Sequence, residues 1–139
     1  MQTEFQIAST GSGLYEFTPK VSNFVGQQNV TSGVLTLFIR HTSCSLLIQE
    51  NADPDVQTDL QAYFSRLVPR SDTASMRYLR HTSEGPDDMP AHIKAAMMPN
   101  SLTIPIFSGS LVLGTWQGIY LFEHRDRPHT RSIFAHISS

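Results

Sequence analysis

The sequence predicts an α+β domain with a mixed or mainly antiparallel sheet, and three features lead to this class. Short segments rich in β-branched and aromatic residues recur along the chain and dominate its C-terminal part. Two or three segments with apolar residues at helical spacing interrupt them. At 139 residues the chain is long enough for one core, so we expect a single two-layer domain over residues 1–139.

The first two predicted strands, residues 5–9 and 14–17, flank the turn-forming sequence TGSG. We expect them to form a hairpin around that turn. Thr18 followed by Pro19 is typical of a helix start, and the first helix is predicted over 19–29.

The clearest strand covers residues 33–41, and its alternation places His41 on the same face as the core positions. Another strand follows at 46–50. Asp53 and Pro54 are typical N-cap and first-turn residues, and they predict the start of a second helix. The apolar stripe of that helix consists of Val56, Leu60, Tyr63, Phe64 and Leu67.

A short helix over 89–98 and four strands complete the prediction. The strands are SLTIPIF, SLVLG, TWQGIYLFE and SIFAHI. In TWQGIYLFE both faces carry apolar residues, which indicates a central strand, yet the segment ends in Glu123 and is followed by His124. We therefore expect this strand both to fill the core and to reach a site.

Composition excludes several classes of protein. Ten basic and twelve acidic residues give a net charge of −2, which does not favour a nucleic-acid partner. No apolar run approaches the roughly 20 residues that span a bilayer, and the start MQTEFQIAST lacks the pattern of a secretory signal. The single cysteine excludes a disulfide within the chain. We therefore expect a cytoplasmic protein with no nucleic-acid and no membrane partner.

Three histidines are candidate metal ligands. His41 ends a predicted core strand, where the alternative is a packed imidazole with one ring nitrogen bonded to the backbone. His81 lies in the loop sequence HTSEGPDD, where the alternative is a solvated side chain. His92 follows Asp88 by four residues on the predicted helix, which suits either a metal site or a capping pair. Three converging imidazoles form an open site of the catalytic zinc type, although their spacing matches no local metal motif.

Cys44 and the arginine-rich segment 123–131 each have two interpretations. Cys44 is either a small buried residue or a nucleophile paired with His41, although side chains three residues apart on a strand point to opposite faces. The segment EHRDRPHTR is either a solvated turn or a phosphate-binding segment, because arginine binds phosphate oxygens in pairs. No P-loop or GxGxxG is present, so an ordinary nucleotide-binding loop is not expected.

Three blocks of the sequence resemble the signature blocks of the YjbQ-like family, whose members are also described as secondary thiamine-phosphate synthases. The blocks are HTSCSLLIQENADPDV (41–56), HTSEGPDDMPAH (81–92) and GSLVLGTWQGIYLFEHRDRP (109–128). The resemblance extends from about Phe5 to Ile137. It implies a compact α+β subunit that assembles into a homotrimer, with sites near the subunit contacts.

The resemblance also implies a set of site residues. A divalent metal, zinc or magnesium, would be held by His41, His81 and His92. The catalytic groups would be Glu123 as general base, Asp88 and Gln117. A phosphorylated small molecule would contact Thr42, Ser43, Asn51, Thr115, Trp116 and Arg125.

Two functions follow from these residues. The first is a metal-assisted transferase that joins hydroxymethylpyrimidine diphosphate to thiazole phosphate and releases pyrophosphate. In that reaction a metal ion and Arg125 neutralise the departing diphosphate. The pyrimidine stacks on Trp116 or Tyr120, unless both aromatic residues belong to the core. The second function is a non-catalytic binding or assembly module for a phosphorylated metabolite.

Overall fold

The structure is a computed structural model that describes residues 1–139. Its elements in chain order are β1 (Gln2–Ala8), β2 (Gly13–Glu16), α1 (Thr18–Gln27), β3 (Ser32–Ile39), β4 (Cys44–Glu50), α2 (Pro54–Leu67), α3 (Asp88–Met97), β5 (Ser101–Phe107), β6 (Ser110–Leu111), β7 (Gln117–Glu123) and β8 (Thr130–Ser138). The predicted α+β class is confirmed, and three α-helices are present. None of them is long and apolar enough to cross a membrane.

The strands form two antiparallel sheets instead of the single sheet expected. One sheet has the order β1-β8-β3-β5-β6, and the other has the order β2-β7-β4. The predicted hairpin of the first two strands is wrong, because β1 pairs with β8 and β2 pairs with β7. Between them the chain passes through Gly11, whose φ of 143° is one that few side chains permit. The glycine-containing turn therefore carries the chain from one sheet to the other.

The central-strand prediction for β7 is confirmed. Ile119 and Leu121 belong to the core between the two sheets. On the opposite face Phe122 packs edge-on against Phe64 of α2, with 5.9 Å between the ring centroids. Trp116, which was expected within this strand, lies in the turn before it and is 63% exposed.

Helices α1 and α2 begin close to the predicted residues. Asp53 caps α2, since its Oδ1 accepts a hydrogen bond from the Asp55 amide at 2.9 Å. Thr18 is the first residue of α1 and not its cap. Its Oγ1 accepts from the Ile119 amide at 2.8 Å and donates to the Glu16 carboxylate at 2.8 Å. The start of α1 is thereby fixed to the central strand β7.

The two ends of β7 define two separate regions of the surface. The register pairs Glu123 with Cys44 at one end and Gln117 with Glu50 at the other. Strand residues rise about 3.3 Å each, so the two ends are about 20 Å apart. Helix α3 packs against β4.

The outer face of the five-stranded sheet carries exposed apolar side chains. Val34 and Phe38 of β3 are 38% and 44% exposed, and Phe107 of β5 is 72% exposed. Phe38 lies opposite Phe134 of β8 in the antiparallel register. The alternate residues Leu35, Leu37 and Ile39 of β3 are apolar and buried on the inner face, as the period-two pattern requires.

Candidate metal centre

Two histidines and one aspartate converge on α3 and the loop before it. Oδ2 of Asp88 lies 2.9 Å from Nε2 of His81 and 3.2 Å from Nε2 of His92. One candidate ligand atom from each residue lies within 4.8 Å of the others. Tetrahedral ligands with metal bonds of about 2.0–2.1 Å are about 3.3 Å apart, so the spacings around Asp88 are compatible with a metal ion as well as with hydrogen bonds.

The helix explains part of this convergence. Asp88 and His92 are four residues apart on α3, which places both side chains on one face. Asp88 lies in the first turn, where the helix dipole stabilises a negative charge. The side chain of Asp88 is 2% exposed, whereas those of His92 and His81 are 30% and 49% exposed. A buried carboxylate therefore lies beneath two imidazoles that reach solvent.

Arg125 fixes the orientation of the carboxylate. Its Nη1 donates to Oδ1 of Asp88 at 2.7 Å, and its Nε donates to Oδ2 of Asp87 at 2.9 Å. Burial disfavours the charged form of Asp88, but the hydrogen bond to His81 and the charge of Arg125 outweigh burial and lower its pKa. Because Arg125 occupies Oδ1, Oδ2 of Asp88 is the oxygen that contacts the two imidazoles. The guanidinium of Arg125, expected to contact a substrate phosphate, is bound to the two aspartates.

The second ring nitrogen of His92 determines its tautomer. Nδ1 lies 2.9 Å from the carbonyl oxygen of Thr42, and a carbonyl can only accept, so Nδ1–H is the donor. In the neutral ring Nε2 then presents a lone pair toward Oδ2 of Asp88. Two acceptors at 3.2 Å repel each other unless a proton or a metal cation lies between them. A backbone carbonyl that orients an imidazole in this way is typical of metal-binding histidines.

His41, the third predicted ligand, does not join the cluster. Its Nε2 accepts a hydrogen bond from the Ser132 amide at 2.9 Å, so the alternative of a packed imidazole bonded to the backbone is the one observed. Burial lowers the pKa of His41. Its ring instead lines a cavity of about 240 Å³ beside His92, together with Cys44 and Asn100.

Glu123 does not reach the cluster either. It is 0% exposed, and its carboxylate accepts hydrogen bonds from Arg131 and Ser9. Burial opposes its charge, but the Arg131 guanidinium outweighs burial and holds the pKa of Glu123 below its ordinary value. The hydroxyl of Ser43, expected to contact substrate, also accepts from Arg131, at 2.9 Å. Because Glu123 and Ser43 are bonded inside the protein, neither fits its predicted role.

Four other predicted site residues lie at the opposite end of β7. They are Asn51, Thr115, Trp116 and Gln117. The amide of Asn51 donates to Oε2 of Glu16 at 3.1 Å, and Oε1 of Gln117 accepts from the Gly114 amide at 2.7 Å. Within one subunit, these side chains cannot share a site with the histidine cluster about 20 Å away. The predicted single site is therefore divided between two ends of the strand.

Cys44 was interpreted either as a small buried residue or as a nucleophile, and the structure agrees with the first interpretation. Cys44 is 1% exposed, and burial raises the pKa of its thiol to about 12. A thiol in that state is not a nucleophile at neutral pH.

Sequence reasoning did not find how Thr42 contributes to the cluster, and it found Asp88 only through its spacing from His92. Thr42 was predicted to contact a substrate, but its main-chain carbonyl holds His92. Asp88 was predicted to be catalytic, but it lies between the two histidines. The spacing of Asp88 and His92 was the signal for their contact, whereas nothing in a sequence indicates a main-chain contact across 50 residues.

The fold and this cluster define a class of protein: an α+β domain of two antiparallel sheets with a His–carboxylate group on its surface. The model of the family described as "UPF0047 protein YjbQ-like" matches residues 3–139. The chain belongs to this family, as the three sequence blocks predicted.

Relatives of the chain are similar over nearly their whole length. UPF0047 protein sll1880 of Synechocystis is 52% identical over 95% of this chain and 87% of its own. UPF0047 protein YjbQ of Escherichia coli O157:H7 is 38% identical over 96% and 94% of the two chains. A crystal structure of a YjbQ/UPF0047 family protein from Clostridium acetobutylicum is 34% identical, with a TM-score of 0.86 over 98% of this chain and 99% of that one.

These comparisons overturn the predicted activity. The relatives carry the names UPF0047 and YjbQ, and none of them is named as a thiamine-phosphate synthase. The Clostridium structure is described as that of an uncharacterized conserved protein. The expected transferase reaction on hydroxymethylpyrimidine diphosphate is therefore withdrawn.

Proposed function

We propose that this protein binds a divalent metal ion through His81, Asp88 and His92. The proposal rests mainly on the position of His92. Its Nε2 lies 3.2 Å from Oδ2 of Asp88, and its Nδ1 is hydrogen-bonded to the Thr42 carbonyl. In the neutral ring both facing atoms are acceptors, and either a proton or a metal cation can bridge them; the proposal is that a metal cation does. Two imidazole nitrogens and one carboxylate oxygen form the donor set of many catalytic zinc sites.

The donor set favours zinc over magnesium. Magnesium prefers oxygen ligands and keeps several waters, whereas two imidazoles suit zinc and other late first-row metals. A bound ion supplies Lewis acidity toward an oxygen atom of a ligand at the positions that the protein leaves open. Arg125 holds Asp88 in place, and the half-exposed ring of His81 leaves the centre open to solvent. The cavity beside His92 has a volume of about 240 Å³, which provides space for a small ligand.

We also propose that the subunit assembles into a homotrimer through the outer face of the five-stranded sheet. Exposed apolar patches on soluble proteins commonly mark such contacts. The patch includes Phe38 at 44% exposure and its cross-strand neighbour Phe134. The guanidinium of Arg40 lies 4.7 Å from the centre of the Phe134 ring, which supports the position of that ring.

Elemental analysis and zinc titration test the metal proposal. The purified protein is stripped with a chelator, and zinc affinity is measured by competition with a chromophoric chelator. We expect about one zinc ion per subunit and its loss in His81→Ala and His92→Ala, because each removes one of three protein ligands. His136→Ala is the matched control, since His136 is exposed on β8 and bonded to Gln2. A wild-type protein that binds no divalent metal, or variants that bind zinc as the wild type does, would overturn the assignment.

A further inference from the structure

A second cavity lies on the other side of α3 from the histidine cluster. Its volume is about 410 Å³, which is within the range of small-molecule sites. Pro90 and Lys94 line it from α3. Each is two residues away from His92, and a step of two residues turns a helix by about 200°, so they lie on the opposite face. The end of α2 and the segments 69–73 and 124–126 form the other walls.

His124, which lines this cavity, carries a buried polar atom without a partner. The residue is 2% exposed, and Nδ1 is the one buried side-chain nitrogen or oxygen that makes no hydrogen bond. Burial lowers the pKa of His124 to about 3, so the ring is neutral at physiological pH. Leaving a buried polar atom unpaired costs about 1–3 kcal/mol, and a ligand that bonds to it recovers this cost.

Hydrogen bonding assigns the proton of this ring to Nδ1. Nε2 of His124 lies 2.9 Å from Oγ of Ser45, which is 0% exposed and makes its only side-chain hydrogen bond there. If Nε2 were the donor, the hydroxyl hydrogen of Ser45 and the lone pair of Nδ1 would both be unpaired. If Ser45 donates to Nε2, only the Nδ1–H group is unpaired, which is the less costly arrangement. The ring therefore presents an N–H donor.

Lys94 adds a positive charge that no acid neutralises directly. It is partly buried in the cavity wall and forms neither a hydrogen bond nor an ion pair. The two acids in the same wall already have partners. Asp126 pairs with Arg70 at 2.5 Å, and Asp87 pairs with Arg125 at 2.9 Å. Neither acid of the wall is therefore left to pair with Lys94.

We propose that this cavity binds a small oxyanion, the carboxylate or phosphate group of a small molecule, between the Lys94 ammonium and the Nδ1–H of His124. The hydroxyls of Ser65 and Thr73, which also line the cavity, supply further donors. Hydrogen bonds from a charged donor to an oxyanion are among the strongest in proteins. The site is separate from the metal centre and does not depend on it, since the two lie on opposite faces of α3.

NMR of the full-length protein labelled with ¹⁵N tests this site. The ring nitrogens of His124 are followed while inorganic phosphate or acetate is added at constant ionic strength. We expect a proton on Nδ1 in the free protein and a saturable shift of that nitrogen with at least one anion. Lys94→Met should weaken binding about tenfold or more, because it removes a charge-assisted hydrogen bond. Lys20→Met is the control and should bind as the wild type, since Lys20 is the only other lysine of the chain.

Comparing phosphate with acetate also shows which chemical group the cavity binds. A response to phosphate alone identifies a phosphate group, and a response to acetate identifies a carboxylate. The proposal is overturned if neither anion gives a saturable shift at His124, if Nδ1 carries no proton, or if Lys94→Met binds as tightly as the wild type. The His92→Ala variant should lose metal binding but retain anion binding. The experiment therefore distinguishes a wrong metal proposal from a wrong anion proposal.

Discussion

Arg131 and Glu123 form a buried ion pair that joins the two sheets. Nε of Arg131 donates to Oε1 of Glu123 at 2.8 Å, and Nη2 donates to Oε2 at 2.5 Å. Glu123 ends β7 in the small sheet, while Arg131 begins β8 in the large one. Ser9, which follows β1, donates to Oε1 of the same carboxylate at 2.7 Å. The pair therefore fixes one end of the sandwich.

Glu123→Gln should lower the free energy of unfolding by about 3–5 kcal/mol. The change leaves the Arg131 guanidinium buried without a countercharge, and breaking a buried pair from one side costs that much. Urea unfolding followed by circular dichroism measures the effect. Asp59→Asn, an exposed change on α2, serves as the control. A loss below about 1 kcal/mol would show that the pair contributes little to stability.

Stability should fall as the pH decreases from neutral, before the carboxylates titrate. The pKa of His124 is lowered from 6.5 to about 3 in the folded protein by burial. Between these values the unfolded chain binds a proton that the folded chain does not, so the folded state loses stability as the pH falls. The slope approaches about 1.4 kcal/mol per pH unit.

Urea unfolding at about pH 7, 6 and 5 measures this slope. In His124→Asn the slope over this interval should flatten, whatever the change does to stability at neutral pH. Equal slopes in the wild type and His124→Asn would contradict the prediction.

Arg125→Met should weaken zinc binding without removing a ligand. Arg125 holds Oδ1 of Asp88 at 2.7 Å, and groups that orient ligands in this way contribute about 10–100-fold in metal affinity. The measurement is zinc affinity by chelator competition. Arg127→Met is the matched control, because Arg127 is exposed and lies on the same turn. If Arg125→Met bound zinc as tightly as the wild type, Arg125 would not be needed to position the Asp88 carboxylate.

Cys44 should be unreactive in the native protein. Burial raises the pKa of its thiol to about 12, so almost no thiolate is present at neutral pH. Iodoacetamide labelling, followed by mass spectrometry, should be slow under native conditions and rapid in concentrated urea. Rapid labelling of the native protein would show that this part of the core opens readily.

Phe38→Lys should convert the proposed trimer into monomers. A charge within the exposed apolar patch opposes its burial against another subunit. Sedimentation equilibrium measures the mass of the wild type and the variant. Tyr78→Lys is the control, since Tyr78 is 73% exposed and lies away from the sheet. A monomeric wild type, or a Phe38→Lys variant that remains trimeric, would contradict the proposed contact face.

Much of the local structure is encoded in patterns that can be read from the sequence. The cap formed by Asp53 and the double-sided burial of β7 both follow from neighbouring residues. The spacing of Asp88 and His92 likewise determines their contact, because it follows from helix geometry alone.

The sheet assignment could not be predicted, since strand pairing depends on contacts between distant residues. The hairpin expected at TGSG required only a local reversal of the chain, and the chain does bend there, but β1 pairs with β8, whose partner residues lie 122 to 134 positions later. The positions of Glu123 and His41 outside the histidine cluster could not be predicted for the same reason. Each side chain is bonded by a residue that is far away in sequence, Glu123 by Ser9 and His41 by Ser132.

The strand order of the large sheet has a consequence for biosynthesis. β8 lies between β1 and β3, and the ribosome makes it after both. A nascent chain that lacks β8 exposes the unpaired edges of β1 and β3, and open edges of this kind pair readily with other chains. The sheet must therefore close after translation has passed residue 138, and the high sequence separation of its pairs makes that closure slow. Until β8 has paired, the exposed edges of β1 and β3 are the segments that nascent-chain chaperones would keep from aggregating.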